Sequence, residues 1–161
     1  MHTKCLFRSN LNLTKVTQIT MKFFIVLSII ALAAADEFKV RTTDDLQVFR
    51  QECGKELNIT EERLEKFKKW DFGDDEETKC YIRCVFKKFP IFDDTTGPNV
   101  ENLVKQLSHG SDKTEEELRT EVTKCVDAKK DNENECSWAF RGFACFKKSN
   151  LQLIRASTKK D

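Results

Sequence analysis

The chain has little of what most enzymes are built from: among 161 residues there are two histidines, five glycines, two prolines and one tyrosine. One histidine, His109, remains once the N-terminal 35 residues are set aside, and no His–Asp pair or glycine-rich calcium loop accompanies it. A hydrolytic site of the kind found in small secreted lipases or phospholipases therefore has almost nothing to be made from. Charge of one sign is missing too: 28 basic residues face 27 acidic ones, interspersed and without a basic stripe, which removes the usual footprint of nucleic-acid binding. No apolar run is long enough to span a bilayer, and there is no internal repeat or low-complexity tract.

What is present begins with a targeting signal. In residues 21–35 Lys22 supplies a positive start, a short apolar run follows, and Ala33, Ala34 and Ala35 offer small residues for cleavage, the three regions of a secretory signal peptide. Residues 1–20, which hold Cys5 and His2, precede a better initiator at Met21 and read as an upstream extension. Residues 36–161 are expected to form one domain. Removing Lys4, Arg8, Lys15 and Lys22 moves the formal charge from +1 to −3. Removing Cys5 turns seven cysteines into six, and an even count behind a signal peptide is read as disulfides rather than as a metal or redox site.

Apolar residues recur at helical spacing, and the two prolines, Pro90 and Pro98, fall between periodic segments. Leu46, Phe49, Cys53 and Leu57 mark a first helix from about Thr43. Leu64, Phe67 and Trp70 mark a second, with the Thr60 hydroxyl as its cap. A third runs from about Asp75 to Phe89, where Pro90 stops it. Val100, Leu103, Val104 and Leu107 predict a fourth ending at His109 and Gly110. Thr114 and Glu117 have capping-box spacing and open a fifth through Leu118, Val122, Cys125 and Val126. The sixth, from about Glu133 to Lys148, carries Ala139, Phe140, Phe143 and Phe146 on one face and Trp138 and Cys145 on the other, so it needs cover from both sides. Leu151, Leu153 and Ile154 are too apolar for a loose tail and are expected to dock. The fold class is all-α: about six short helices in a compact bundle.

Six cysteines allow 15 pairings. Cys136 and Cys145 stand nine residues apart on one helix, roughly 13 Å at 1.5 Å per residue, too far to bond. Cys80 and Cys84 lie one turn apart, so the third helix can be stapled to two neighbours. Intervals of 26, 3, 40, 10 and 8 residues separate the six cysteines. That spacing resembles the six-cysteine insect odorant-binding family, and the likeness covers all of residues 36–161. A dipteran branch is resembled in the stretch from Lys87 through Pro90, Ile91 and Phe92 to Asp93, in Asn99-Val100-Glu101-Asn102-Leu103, and in Ser149-Asn150-Leu151-Gln152-Leu153. Pro90 departs from it, because that branch often carries glycine there.

The resemblance implies the pairings Cys53 with Cys84, Cys80 with Cys136, and Cys125 with Cys145. It also implies an apolar cavity within the helices and reversible carriage of small hydrophobic ligands such as odorants, pheromones or fatty-acid-like compounds, with no enzyme activity and no cofactor or metal. Candidate lining residues are Phe49 on the first helix, Leu64 and Phe67 on the second, and Tyr81, Val85 and Phe89 on the third. Phe92, Leu103, Leu107 and Val122 follow, then Trp138, Phe143 and Leu153; for each the competing reading is plain core packing. The family setting is an extracellular fluid, sensillar lymph or haemolymph, with a monomer or weak homodimer that meets a membrane chemoreceptor indirectly and no nucleic acid.

Individual residues raise narrower expectations. Tyr81 and Trp138 offer polar atoms to a ligand head group, against the alternative of an internal hydrogen bond. His109 is a pH-switch candidate, or simply a helix-end residue. Asn58-Ile59-Thr60 is a glycosylation sequon whose threonine doubles as a helix cap. The rival function is a saposin-like, membrane-active protein, but its cysteines would cluster towards the chain ends, whereas the closest pair here is mid-chain, and no cationic amphipathic face is evident.

Overall fold

The computed structural model describes residues 37–159; the signal segment 21–35, the extension 1–20 and Cys5 lie outside the described residues. Within the unit that begins at Phe38, the helices are α1 (Thr43–Glu56), α2 (Glu61–Lys68), α3 (Glu76–Lys88), α4 (Val100–Ser108), α5 (Glu115–Thr123) and α6 (Glu135–Ala156). Between α3 and α4 a two-stranded antiparallel ladder, β1 (Phe92–Asp93) with β2 (Gly97–Pro98), sets Phe92 opposite Pro98. The periodicity did not predict it, since two-residue strands have no period.

Side chains start most of these helices. Thr42 with Asp45 and Thr114 with Glu117 form reciprocal capping boxes on α1 and α5, and Asp75, Asn99 and Asn134 each accept a backbone N–H bond at the starts of α3, α4 and α6. The expected Thr60 cap is absent: its hydroxyl takes no bond from α2. Glu61 and Glu62 in the first turn answer the helix dipole there instead.

Three helices end in the same way. After α1, Asn58 takes φ 53°, with Ile59 N–H donating to Gly54 O at 2.8 Å and Asn58 N–H to Lys55 O at 3.2 Å. After α2, Trp70 takes φ 65°, with Asp71 N–H on Lys66 O and Trp70 N–H on Phe67 O, both at 3.0 Å. These are Schellman turns, so Trp70 belongs to the turn that closes α2 and not to the helix. After α3 the same position falls to Pro90, at φ 23°, with only the longer bond, Ile91 N–H to Phe86 O at 3.1 Å. Proline has no N–H for the second.

The core follows from the pairing of α3 with α6, α4 with α5 and α1 with α3. One buried cluster joins Cys53, Phe67, Tyr81, Ile82, Val85, Phe89 and Phe143; a second joins Val104, Leu107, Leu118 and Val122. A third sets Trp138 and Ala139 against Phe92, so α6 is covered on both sides. The expected docked tail is a continuation of α6, which kinks at Asn150 (φ −129°, ψ 24°) and runs on.

The cross-links are Cys53–Cys84 between α1 and α3, Cys80–Cys136 between α3 and α6, and Cys125–Cys145 from the segment after α5 to α6, with Cα separations of 5.8, 4.5 and 5.6 Å. All fall within the ordinary disulfide range. One buried amide ties both ends of the unit to α4. Gln106 Oε1 accepts from Arg41 N–H at 2.8 Å, while its Nε2 donates to Arg41 O at 2.9 Å and Ser157 O at 2.7 Å.

Candidate functional site

A cavity of about 130 Å³ lies between the helices. Its walls come from one face each of α3 and α6, which supply Ile82, Val85, Phe86, Ala139, Phe143 and Phe146, with α4 and the end of α5 closing the other side through Leu103, Leu107 and Val122. Ile154, Ser157 and Thr158, beyond the Asn150 kink, complete the wall. A second, polar depression at Glu62, Arg63, Lys66, Asp71 and Asp75 has most of its charges paired: Arg63 with Asp75 and with Glu77, and Lys66 with Glu62.

Of the thirteen lining candidates, the structure places Tyr81, Val85, Phe89, Phe92, Leu103, Leu107, Val122 and Phe143 at the cavity. The other five do not border it, each for a packing reason. Phe49 stands edge-on to Phe89 at 5.3 Å, and the Leu64 methyls lie over Gly54, which has no side chain to displace them. Phe67 is layered behind Phe72 and Tyr81, at 5.1 and 4.5 Å. Trp138 turns to the ladder, edge-on to Phe92 at 5.4 Å, and its indole N–H donates to Asp127 O at 3.0 Å. Leu153 packs into the Val104–Leu118 cluster. The polar-handle expectation thus divides: Trp138 makes the internal bond, and Tyr81 does not.

Tyr81 is 1% exposed, and its hydroxyl has no hydrogen-bond partner. Burial pushes the phenol up to about 12, partly offset by the positive charge of Arg50. Arg50 borders the same cavity. Desolvation lowers its pKa, with the nearby Tyr81 opposing, and its guanidinium lies over Trp70 at 5.4 Å. Among the described residues no carboxylate forms an ion pair with it. An apolar chamber therefore has at one place a cation without an anion and a hydroxyl without an acceptor. Such groups are costly to bury alone.

Arg50, Trp70, Phe72 and Gln106 reach the cavity but were not among the candidates. Arg50 had a legible signal, because it falls four residues after Leu46 and three before Cys53, on the apolar stripe of α1. Trp70 and Phe72 reach the cavity through the turn after α2, which periodicity does not describe.

His109 Nε2 bonds Lys159 O at 2.8 Å, a helix-end contact. Two clusters of metal-ligand residue types, Cys53 with Glu56 and Cys84, and Glu76 with Cys80 and Cys136, have their sulfurs tied up as disulfides. No helix among the described residues is long and apolar enough to cross a membrane.

A helical frame with three cross-links, built around an apolar cavity bordered by two residues with unpaired polar groups, defines a disulfide-caged ligand-cavity protein. The PBP/GOBP family model matches residues 35–149, and the chain belongs to that family. It is similar to odorant-binding protein 22 of Aedes aegypti, 61% identical over 142 residues that cover 88% of this chain and 100% of the relative. General odorant-binding protein 99a of Drosophila melanogaster is 36% identical over 137 residues, 85% of this chain and 96% of that one. Among solved structures, the fatty acid binding protein OBP56a from the oral disk of the blowfly Phormia regina aligns with a TM-score of 0.57 at 24% identity, covering 68% of this chain and 91% of the other. At that identity the likeness is one of fold.

Proposed function

We propose that this protein is an extracellular carrier that reversibly takes up one small hydrophobic molecule in the α3–α6 cavity, without bond chemistry, and prefers ligands with an acidic or hydroxylic end. The observation that carries the reading is the pair Arg50 and Tyr81: a desolvated guanidinium and a residue with an unpartnered phenol, both bordering a largely apolar chamber. A carboxylate would satisfy both at once, and a charge-assisted bond is worth about twice a neutral one. The apolar remainder of the ligand would lie against Val85, Phe89, Leu103, Leu107, Val122 and Phe143. The names of the relatives, odorant-binding and fatty-acid-binding proteins, support the same ligand class. We further infer a monomer or weak homodimer, working in a secreted fluid and meeting a membrane receptor only indirectly.

The cavity volume bounds the ligand. About 130 Å³ is close to the roughly 150 Å³ of a dry engineered cavity that admits benzene, so the closed form takes a ring-sized group. A longer chain needs a wall to yield, and the segment beyond the Asn150 kink is the one we assign. Micromolar binding requires about 8 kcal/mol; burying about 400 Å² of ligand supplies about 10 kcal/mol before the cost of immobilisation. Displacement of a fluorescent apolar probe tests this. We expect one internal site, micromolar affinity, and displacement by long-chain acids and alcohols. Many weak salt-sensitive sites, or leakage of dye from liposomes at similar concentrations, would replace the carrier by the membrane-active reading.

A further inference from the structure

We propose that Asn58 is an N-linked glycosylation site and that the exported protein carries an oligosaccharide there. The triplet Asn58-Ile59-Thr60 has the acceptor pattern with a residue other than proline in the middle. Its sequence alone leaves a competing explanation, in which Thr60 is kept as the α2 cap. The structure removes that explanation: the Thr60 hydroxyl makes no capping bond and no other hydrogen bond to a described residue.

The rest of the triplet is divided in the same sense. Ile59 is 8% exposed and joins the main core cluster, while Asn58 and Thr60 on either side of it are exposed. The Asn58 backbone closes α1 from the left-handed region, a task that glycine performs at least as well. The Asn58 carboxamide makes no hydrogen bond to a described residue. Both groups that the modification needs, the amide and the hydroxyl two residues on, are thus idle in the fold and open to solvent at a turn. Neither borders the cavity, so a sugar here leaves ligand binding untouched.

The donor is an oligosaccharide linked to a polyprenyl diphosphate. Asn58 Nδ2 forms a bond to the anomeric carbon, the carbon–oxygen bond to the diphosphate breaks, and the diphosphate leaves with the electron pair. One Nδ2 proton passes to a base of the transferase, and the Thr60 hydroxyl is the recognition handle. The inference rests on the secretory reading of residues 21–35, because the transferase works only in that compartment.

The test is expression of the full chain in insect cells. Intact mass is taken for the secreted and retained fractions before and after treatment with peptide N-glycosidase A, which tolerates core fucose. Peptide mapping then looks for aspartate created at position 58. Thr60→Ala, which removes no structural bond, and Asn58→Gly, which suits the turn, are made in parallel. We expect one glycan on the wild-type chain, none on either variant, and probe affinity equal within twofold across all three. An unmodified Asn58 overturns the proposal; if the thiols are then oxidised the site reading alone has failed, and if they are free the export reading has failed with it. A sugar that survives Thr60→Ala, or a change in probe affinity beyond twofold, overturns it as well.

Discussion

Replacing Tyr81 by phenylalanine separates a binding residue from a packing residue. Its ring is 1% exposed and lies 4.5 Å from that of Phe67, so Phe would keep the stacking and the buried area. What changes is one hydroxyl that has no hydrogen-bond partner among the described residues. An unsatisfied buried polar group costs about 1–3 kcal/mol, and its removal leaves the ring in place. Delipidated Tyr81→Phe is therefore expected to gain about 1 kcal/mol, seen as a thermal midpoint higher by a few degrees. A net hydrogen bond is worth about 0.5–1.5 kcal/mol, so affinity for a long-chain alcohol or acid should fall about 2- to 10-fold, with no loss for a hydrocarbon of equal length. Arg50→Met supplies the second axis. It should cost an acid about 10-fold or more and the matching alcohol much less, because bonds to charged groups are worth about 1.5–3 kcal/mol. The reasoning is refuted if Tyr81→Phe lowers the stability of the empty protein, or if acid, alcohol and hydrocarbon all lose affinity alike.

Pro90→Gly should stabilise the fold by about 1 kcal/mol in denaturant titration, since glycine suits the left-handed turn and restores an N–H for the Lys87 carbonyl, outweighing its looser unfolded chain; a loss would show that the proline turn is unstrained. Gly97→Ala should cost about 2–4 kcal/mol, because φ is 81° and a Cβ would run into the Trp138 indole; an unchanged denaturation midpoint would contradict that contact. Glu133 accepts from Arg141 at 2.9 and 2.8 Å and from Lys130 N–H at 3.0 Å, and the Arg141 guanidinium foremost holds its carboxyl at about 2 instead of 4.5. A depressed folded pKa stabilises above the ordinary value and is lost as pH falls through it, so the stability gap between wild type and Glu133→Gln should be constant near neutrality and close between pH 4.5 and about 2.

Where the sequence carried a period or a cap it was legible. The apolar stripes of α3 and α4 and the Thr114–Glu117 box led directly to elements that are there. Cysteine spacing, read through the family likeness, named bonds that the structure contains. The differences between the expected and the observed lining share one physical origin, which is that a stripe shows which face is buried and not what it is buried against. Phe67 and Leu153 are as apolar as Phe143, but one is layered behind Tyr81 and the other sits in the α4–α5 cluster. Trp138 went to the ladder because β1 and β2 put Phe92 and a bare Gly97 beside it, and no period announces a two-residue strand. Arg50 is a charged residue on the apolar stripe of α1. Its meaning depends on whether a carboxylate waits across the interface, which only the packed structure answers.

The cavity and the cross-links are two sides of one energetic argument. An unfilled buried void costs about 24 cal/mol per Å³, so a cavity of about 130 Å³ forgoes at most about 3 kcal/mol of packing. A single disulfide contributes about 2–4 kcal/mol, and two of the three here tie α1 and α6 to α3, which shares the cavity wall with α6. Ion pairs add to this: Lys88 of α3 reaches Glu52 and Glu56 of α1 at 3.0 and 2.7 Å, along the α1–α3 seam, and Arg83 of α3 reaches Asp94, the residue after β1, at 2.5 Å. The walls are thus held from outside, and the helices need not collapse inward to be stable. A ligand that fills the void recovers that packing, which an apolar molecule of the right size gains whatever its chemistry. Discrimination must come from what remains, and among the groups facing the chamber the Arg50 and Tyr81 pair is placed to tell an acid from a hydrocarbon.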